Sequence, residues 1–150
     1  EWCVMRNNSD LFYVCSLIEF IGRKQKRKRS EVVADLGRDT LVRLYGHADV
    51  FHCEPIEKTA DEFIARCGIQ QGNYDNVAAC RYLVPDYWTI GAVYERLIED
   101  ICQDNEEKVT EVLMEVYFSW IDAAISNYNT DFYYQSRDYI YECYMAGKVL

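Results

Sequence analysis

Between Asn105 and Tyr128 the apolar residues Val109, Val112, Leu113, Val116, Tyr117, Trp120, Ile121, Ala124 and Ile125 return every three or four positions. An α-helix turns once per 3.6 residues, so this spacing gathers them on one face over more than about five turns. Asn105 suits the cap of such a helix, and Glu106 and Glu107 suit the positive end of its dipole. An oily face that long needs other helices to cover it. The spacing therefore predicts the longest helix of the chain at about 105–128.

The remaining segments supply the cover. Leu11, Val14, Cys15, Ile18 and Ile21 predict a helix over 10–22, capped by Ser9 or Asp10. A short helix is expected from Ser30 to Leu36, closed by Gly37, and a third segment at 40–45. Thr59 and Glu62 have capping-box spacing ahead of Phe63 and Ile64, with Gly68 as the stop. A short helix is predicted at 76–83, before Pro85. Ile90, Val93, Tyr94, Leu97, Ile98 and Ile101 predict a helix over 89–102, and a tyrosine-rich helix is expected at 131–146, stopped by Gly147. No convincing alternating strand or internal repeat occurs, and two prolines and seven glycines leave few obligatory turns. The expectation is an all-α fold, an irregular bundle of six to eight helices. One domain spans 1–150, and the polar, glycine-containing stretch 70–76 is the candidate for a sub-division. A chain of 150 residues buries about 70% of its unfolded surface and needs no metal or disulfide to fold.

Charge is unevenly placed. The net −9 divides into +2 over residues 1–52, −3 over 53–98 and −8 over 99–150. Overall acidity argues against nonspecific nucleic-acid binding. Seven cysteines, at 3, 15, 53, 67, 80, 102 and 143, form no CxxC pair and are odd in number. They read as reduced thiols, several in core positions, in a cytoplasmic protein. No apolar run is long enough to span a bilayer, so no membrane role is expected. No signal-peptide pattern opens the chain, which begins at Glu1 rather than methionine and so leaves its natural start open.

The segments 11–19 (LFYVCSLIE), 30–33 (SEVV), 44–45 (LY) and 59–64 (TADEFI) resemble a family of small uncharacterised helical proteins of gut bacteria. The resemblance covers about residues 10–68, and the basic run at 23–29 departs from it. The segment 84–91 (VPDYWTIG), continuing to Leu97 and Ile98, is similar to a stretch that recurs in uncharacterised bacterial proteins. Some members of the family are encoded beside proteins resembling ADP-ribosyltransferases. The resemblance supplies no catalytic residue. It implies a small bacterial accessory or interaction protein, a neutralising partner of a toxin-like enzyme among the options.

Arg23, Lys24, Lys26, Arg27, Lys28 and Arg29 are six of sixteen basic groups and suit a solvated helix end, an acidic partner or phosphate. His47, His52, Cys53 and Cys67 carry zinc-compatible atoms in no known zinc spacing. No cysteine lies in a nucleophile motif. Glu107, Glu111 and Glu115 would line one helix face, either solvated or facing a basic partner. No glycine-rich phosphate loop occurs. Tyr128, Tyr133, Tyr134, Tyr139, Tyr141 and Tyr144, with Phe132, exceed what one core face needs. Their amphipathic rings suit core and surface, a protein interface, or a ligand groove.

On these grounds no residue is assigned to catalysis, to a cofactor or to a metal. The expected function is protein interaction without catalysis, with a protein partner or a homodimer. The alternative is a small-ligand protein or enzyme with a pocket inside the bundle, for which Tyr94, Tyr117, Trp88 and Trp120 are the candidate walls.

Overall fold

The computed structural model describes residues 2–150, with side chains from Ser9 onward. Eight α-helices follow in order: α1 (Trp2–Gln25), α2 (Arg29–Gly46), α3 (Ala48–Phe51), α4 (Ile56–Cys67), α5 (Tyr87–Cys102), α6 (Val109–Tyr117), α7 (Ile121–Ser126) and α8 (Arg137–Ala146). Single 3-10 turns occupy Glu106–Lys108 and Phe132–Tyr134. No strand occurs among the described residues. The fold is the expected all-α bundle, and buried apolar residues from Leu11 to Cys143 form one continuous core.

The centre of the bundle is α1 lying along α5, the most extensive helix pair. Gly91 on α5 makes this approach possible. A Cβ there would stand 2.2 Å from Ser16 Oγ and 2.9 Å from the Ser16 Cα, so only hydrogen fits between the two backbones. α2 contains a kink at Gly37, whose φ of 80° and ψ of 163° suit glycine alone. The two expected segments 30–36 and 40–45 are the two arms of this bent helix. Its first turn is closed by Glu31, whose carboxylate accepts from the Lys28 N–H at 3.0 Å.

Three expectations are corrected. The longest helix is α1, with 24 residues, and not 105–128. The predicted long helix divides at Phe118–Trp120, where Ser119 Oγ donates to the Val116 carbonyl at 2.7 Å and accepts from the Ile121 N–H at 3.3 Å. A serine hydroxyl competing for backbone groups in this way ends a helix. The break matters because Asp122 would otherwise lie roughly 180° around the helix from the core residue Leu113. With it, Ile121, Asp122, Ile125 and Ser126 all turn inward. Residues 76–83 form turns instead of a helix: Asp75 Oδ1 accepts from the Ala78 N–H, and Asn129 holds the backbone of Ala79 and Arg81. The last helix begins at Arg137 and not 131, because Ser136 caps it by accepting from the Tyr139 N–H at 3.2 Å.

Three further starts shift. α1 begins at Trp2 and not 10, so Ser9 and Asp10, expected as its cap, lie inside the helix. α4 begins at Ile56, after Pro55, so Thr59 lies inside the helix and is buried. α5 begins at Tyr87 because Asp86 accepts from the Thr89 N–H at 2.7 Å. Gly68 and Gly147 are left-handed stops, as expected.

Candidate functional site

The basic run ends α1 and begins α2, and the turn between them sends its last member inward. Arg29 is 5% exposed. A buried guanidinium needs partners for its donors and for its charge, and five residues from three other regions provide them. Nε donates to Asp122 Oδ1 at 2.9 Å and to the Tyr94 hydroxyl at 3.1 Å. Nη1 donates to Glu19 and, at 3.1 Å, to the Tyr128 hydroxyl. Nη2 donates to Ser126 Oγ at 2.5 Å.

These acceptors are linked to one another. The Tyr94 hydroxyl donates to Asp122, and the Tyr128 hydroxyl donates to Glu19 Oε2 at 2.8 Å. Arg23 joins from α1, with Nε on Glu19 at 2.6 Å and Nη2 on the Pro85 carbonyl at 2.7 Å. Two cations face two carboxylates, so the cluster is neutral.

The electrostatics follow from burial set against pairing. Desolvation alone would raise the Glu19 carboxyl, but the Arg29 and Arg23 charges hold it below the usual carboxylate range. Desolvation works against the Arg29 guanidinium too, and Glu19, Tyr94 and Asp122 overcome it, so Arg29 stays charged. Burial pushes the Tyr94 hydroxyl well up despite Arg29. Tyr94 stacks on Tyr117 with centroids 4.2 Å apart and planes 10° from parallel.

The rest of the basic run is also paired. Lys24 meets Asp61, Lys26 meets Asp75, and Arg27 meets Glu31 and Asp35. Lys28 alone has no carboxylate partner among the described residues, and its ammonium lies 5.7 Å from the centre of the Tyr74 ring. The run is therefore no free cationic stripe for a polyanion.

Two grooves open on the surface, one of them over this cluster. One, of about 630 Å³, lies above Asp122, Ser126 and Tyr128, with Tyr74 and Phe118 on its walls. The other, of about 410 Å³, runs between α5 and the 3-10 turn at Phe132–Tyr134, walled by Phe12, Trp88, Tyr133 and Tyr134. The segment 81–83 is exposed, with Tyr82 at 67% and Leu83 at 91%, and Tyr134, on the smaller groove, is 67% exposed. This segment is pinned. Asn129 Oδ1 accepts from the Arg81 N–H at 2.7 Å, and Asn129 Nδ2 donates to the Ala79 carbonyl at 3.1 Å. Arg81, in this segment, and Arg96, on the smaller groove, have no carboxylate partner among the described residues.

No known family model, curated protein or solved structure matches the chain.

The residues weighed in the sequence are dispersed. His52 packs its ring edge-on against Tyr13, 4.4 Å between centroids, while Cys53 is exposed and Cys67 half-buried on α4. No three His, Cys, Asp or Glu side chains converge among the described residues. The six described cysteines are free, and Cys3 lies outside the described side chains. Glu107 lies in a 3-10 turn and Glu111 on α6 pairs with Arg38 at 2.6 Å, so the acidic stripe is broken. Of the four candidate pocket walls, Tyr94 reaches the ion cluster, Tyr117 lines the larger groove, Trp88 lines the smaller one, and Trp120 packs against the core.

Proposed function

We propose that the chain works by holding another protein, through the aromatic face formed by segment 81–83, the turn at Phe132–Tyr134 and the groove walled by Phe12 and Trp88. The observation that carries this is Leu83, 91% exposed two residues after Arg81, whose backbone N–H is held by Asn129. A large apolar side chain gains roughly 1.5–3 kcal/mol when it leaves water. Tyr82, Leu83 and Tyr134 forgo most of that gain inside their own chain, and a fixed backbone lowers the entropic cost of presenting them to a partner. Aromatic rings beside arginine are also the composition of interface hot spots.

The unpaired cations Arg81, in the exposed segment, and Arg96, on the groove, stand out in a chain of net charge −9. They favour a partner that presents apolar side chains flanked by carboxylates. Two copies of this acidic chain would repel, which favours a different protein over self-association. The resemblance to small gut-bacterial helical proteins suggests a toxin-like enzyme as one such partner.

The test uses Leu83→Asp and Tyr134→Asp, both at exposed positions. Their circular dichroism and melting should match the parent chain. A partner purified with the parent chain and reconstituted from pure components should lose affinity for each variant by tenfold or more. Equal affinity of parent and variants for that partner would refute the assignment of this face. Light scattering that finds a dimer abolished by the same substitutions would replace the separate partner with a second copy.

A further inference from the structure

We propose that the groove above Asp122 is a binding site for a phosphorylated sugar, free or as part of a nucleotide. The groove shares no lining residue with the segment 81–83, the turn at Phe132–Tyr134 or the walls Phe12 and Trp88, and its volume of about 630 Å³ lies in the range of small-molecule sites. Its floor carries a buried acceptor that the protein leaves half used. Asp122 is 7% exposed, and its Oδ1 takes both Arg29 Nε and the Tyr94 hydroxyl. Among the described residues no donor reaches Oδ2, although Asp122 lines the groove. A carboxylate oxygen there, with its charge balanced by Arg29, accepts from hydroxyl or amine donors.

The neighbouring groups narrow the ligand further. Asn76 is fixed by its Nδ2 donating to the Ser126 carbonyl at 2.8 Å, which leaves Oδ1 as a second acceptor. Asn73, on the rim, makes no side-chain hydrogen bond among the described residues, so its amide can both donate and accept. Tyr74 and the 51% exposed Phe118 offer ring faces, on which the C–H face of a sugar or a nucleobase can pack.

The remaining group is Lys28, at the edge of the groove and the one member of the basic run without a carboxylate. A neutral sugar would leave this cation unused. A bare anion would meet the free oxygen of Asp122 and the carboxylate of Asp75. A molecule with hydroxyls at one end and a phosphate at the other satisfies both ends, hydroxyls toward Asp122 and phosphate toward Lys28.

Isothermal titration and amide NMR shifts of the whole chain, with ribose 5-phosphate, AMP, ribose and inorganic phosphate, test this. Saturable binding of one or both phosphorylated probes is expected, with shifts concentrated at residues 73–76 and 117–123. Ribose should bind about tenfold more weakly, and Lys28→Ala should weaken the phosphorylated probes about tenfold while leaving ribose unchanged. Asn73→Ala should weaken ribose and phosphorylated probes alike. Lys28 and Asn73 are exposed, so both variants should fold. AMP binding more tightly than ribose 5-phosphate would identify the nucleotide as the source, and the reverse order a free sugar phosphate. The proposal is overturned if no probe binds saturably up to about 10 mM, if inorganic phosphate binds as well as ribose 5-phosphate, or if Lys28→Ala binds every probe as the parent does. Leu83→Asp should leave all of these affinities unchanged, which separates this site from the protein-binding face.

Discussion

Replacing Arg29 by methionine removes the guanidinium donors at the centre of the buried cluster while keeping an unbranched apolar stem of similar length. Glu19 and Asp122, 2% and 7% exposed, then remain in a low-dielectric interior with one cation, Arg23, which pairs with Glu19 alone. Removing one partner from a buried pair costs about 3–5 kcal/mol, because the surviving charge is neither solvated nor paired. Against a total of about 5–15 kcal/mol for a domain, that is a large share. At roughly 2–4 °C per kcal/mol for a chain of this size, melting should fall by about 10 °C.

The pH dependence carries a sharper signature. In the parent chain Glu19 titrates below its unfolded value, so its contribution is complete above the unfolded carboxylate range. That contribution is lost as pH falls through the folded value. Without Arg29 the desolvation of Glu19 dominates and its carboxyl moves up. The variant is then penalised most at neutral pH and recovers as Glu19 protonates. Urea unfolding from pH 8 to pH 4 should show the gap between parent and variant narrowing toward the acid end. Adding Glu19→Gln to the variant should recover part of the loss at pH 7. A loss below about 1 kcal/mol at pH 7, or a gap independent of pH, would refute the view that this cluster locks the fold.

Three further outcomes are expected. Gly91→Ala sets a methyl group against the Ser16 backbone at 2.9 Å and should destabilise by about 2–3 kcal/mol in urea unfolding, with α1 forced off α5. Gln103 holds φ 54° and ψ −121°, a conformation that costs a side-chain-bearing residue about 1–3 kcal/mol, so Gln103→Gly should raise the urea midpoint by about 1 kcal/mol of stability. Burial, with Glu99 beside it, pushes the Glu95 carboxyl up to about 8. Stability should therefore decline as pH rises from the unfolded carboxylate range to about 8, and Glu95→Gln should flatten that decline in a melting-versus-pH series.

Much of the fold was legible where burial follows a single period. The faces of α1 and α5 could be read directly because Val14, Ile18, Ile21, Ile90, Tyr94, Leu97 and Ile98 all point to one core. The division of 105–128 was hidden because Ile121 and Ile125 continue the earlier spacing while belonging to a helix turned the other way. Ser119 was the available signal, and a lone serine is too common inside helices to betray a break. The tyrosine surplus was legible as excess, but its division between the buried Tyr128 and the exposed Tyr134 depends on the turn at Phe132–Tyr134. Arg29 was missed because five other cations surround it. It nevertheless lies three, four and seven positions before Val32, Val33 and Leu36, all buried, so its place on the inward face was written in the spacing. Asp122 offered no comparable clue, since its inward turn exists only after the break.

The buried cluster also orders events along the ribosome. Glu19 and Arg29 leave the exit tunnel about a hundred residues ahead of Asp122, Ser126 and Tyr128, a delay of roughly 5–20 s at ordinary rates of synthesis. Throughout that interval the guanidinium lacks most of its eventual acceptors, so nascent α1 and α2 have every reason to keep it in water rather than dock. Closure of the cluster therefore waits on the short helix α7, and a chain halted before residue 122 should remain a loose collection of helices, open to proteases.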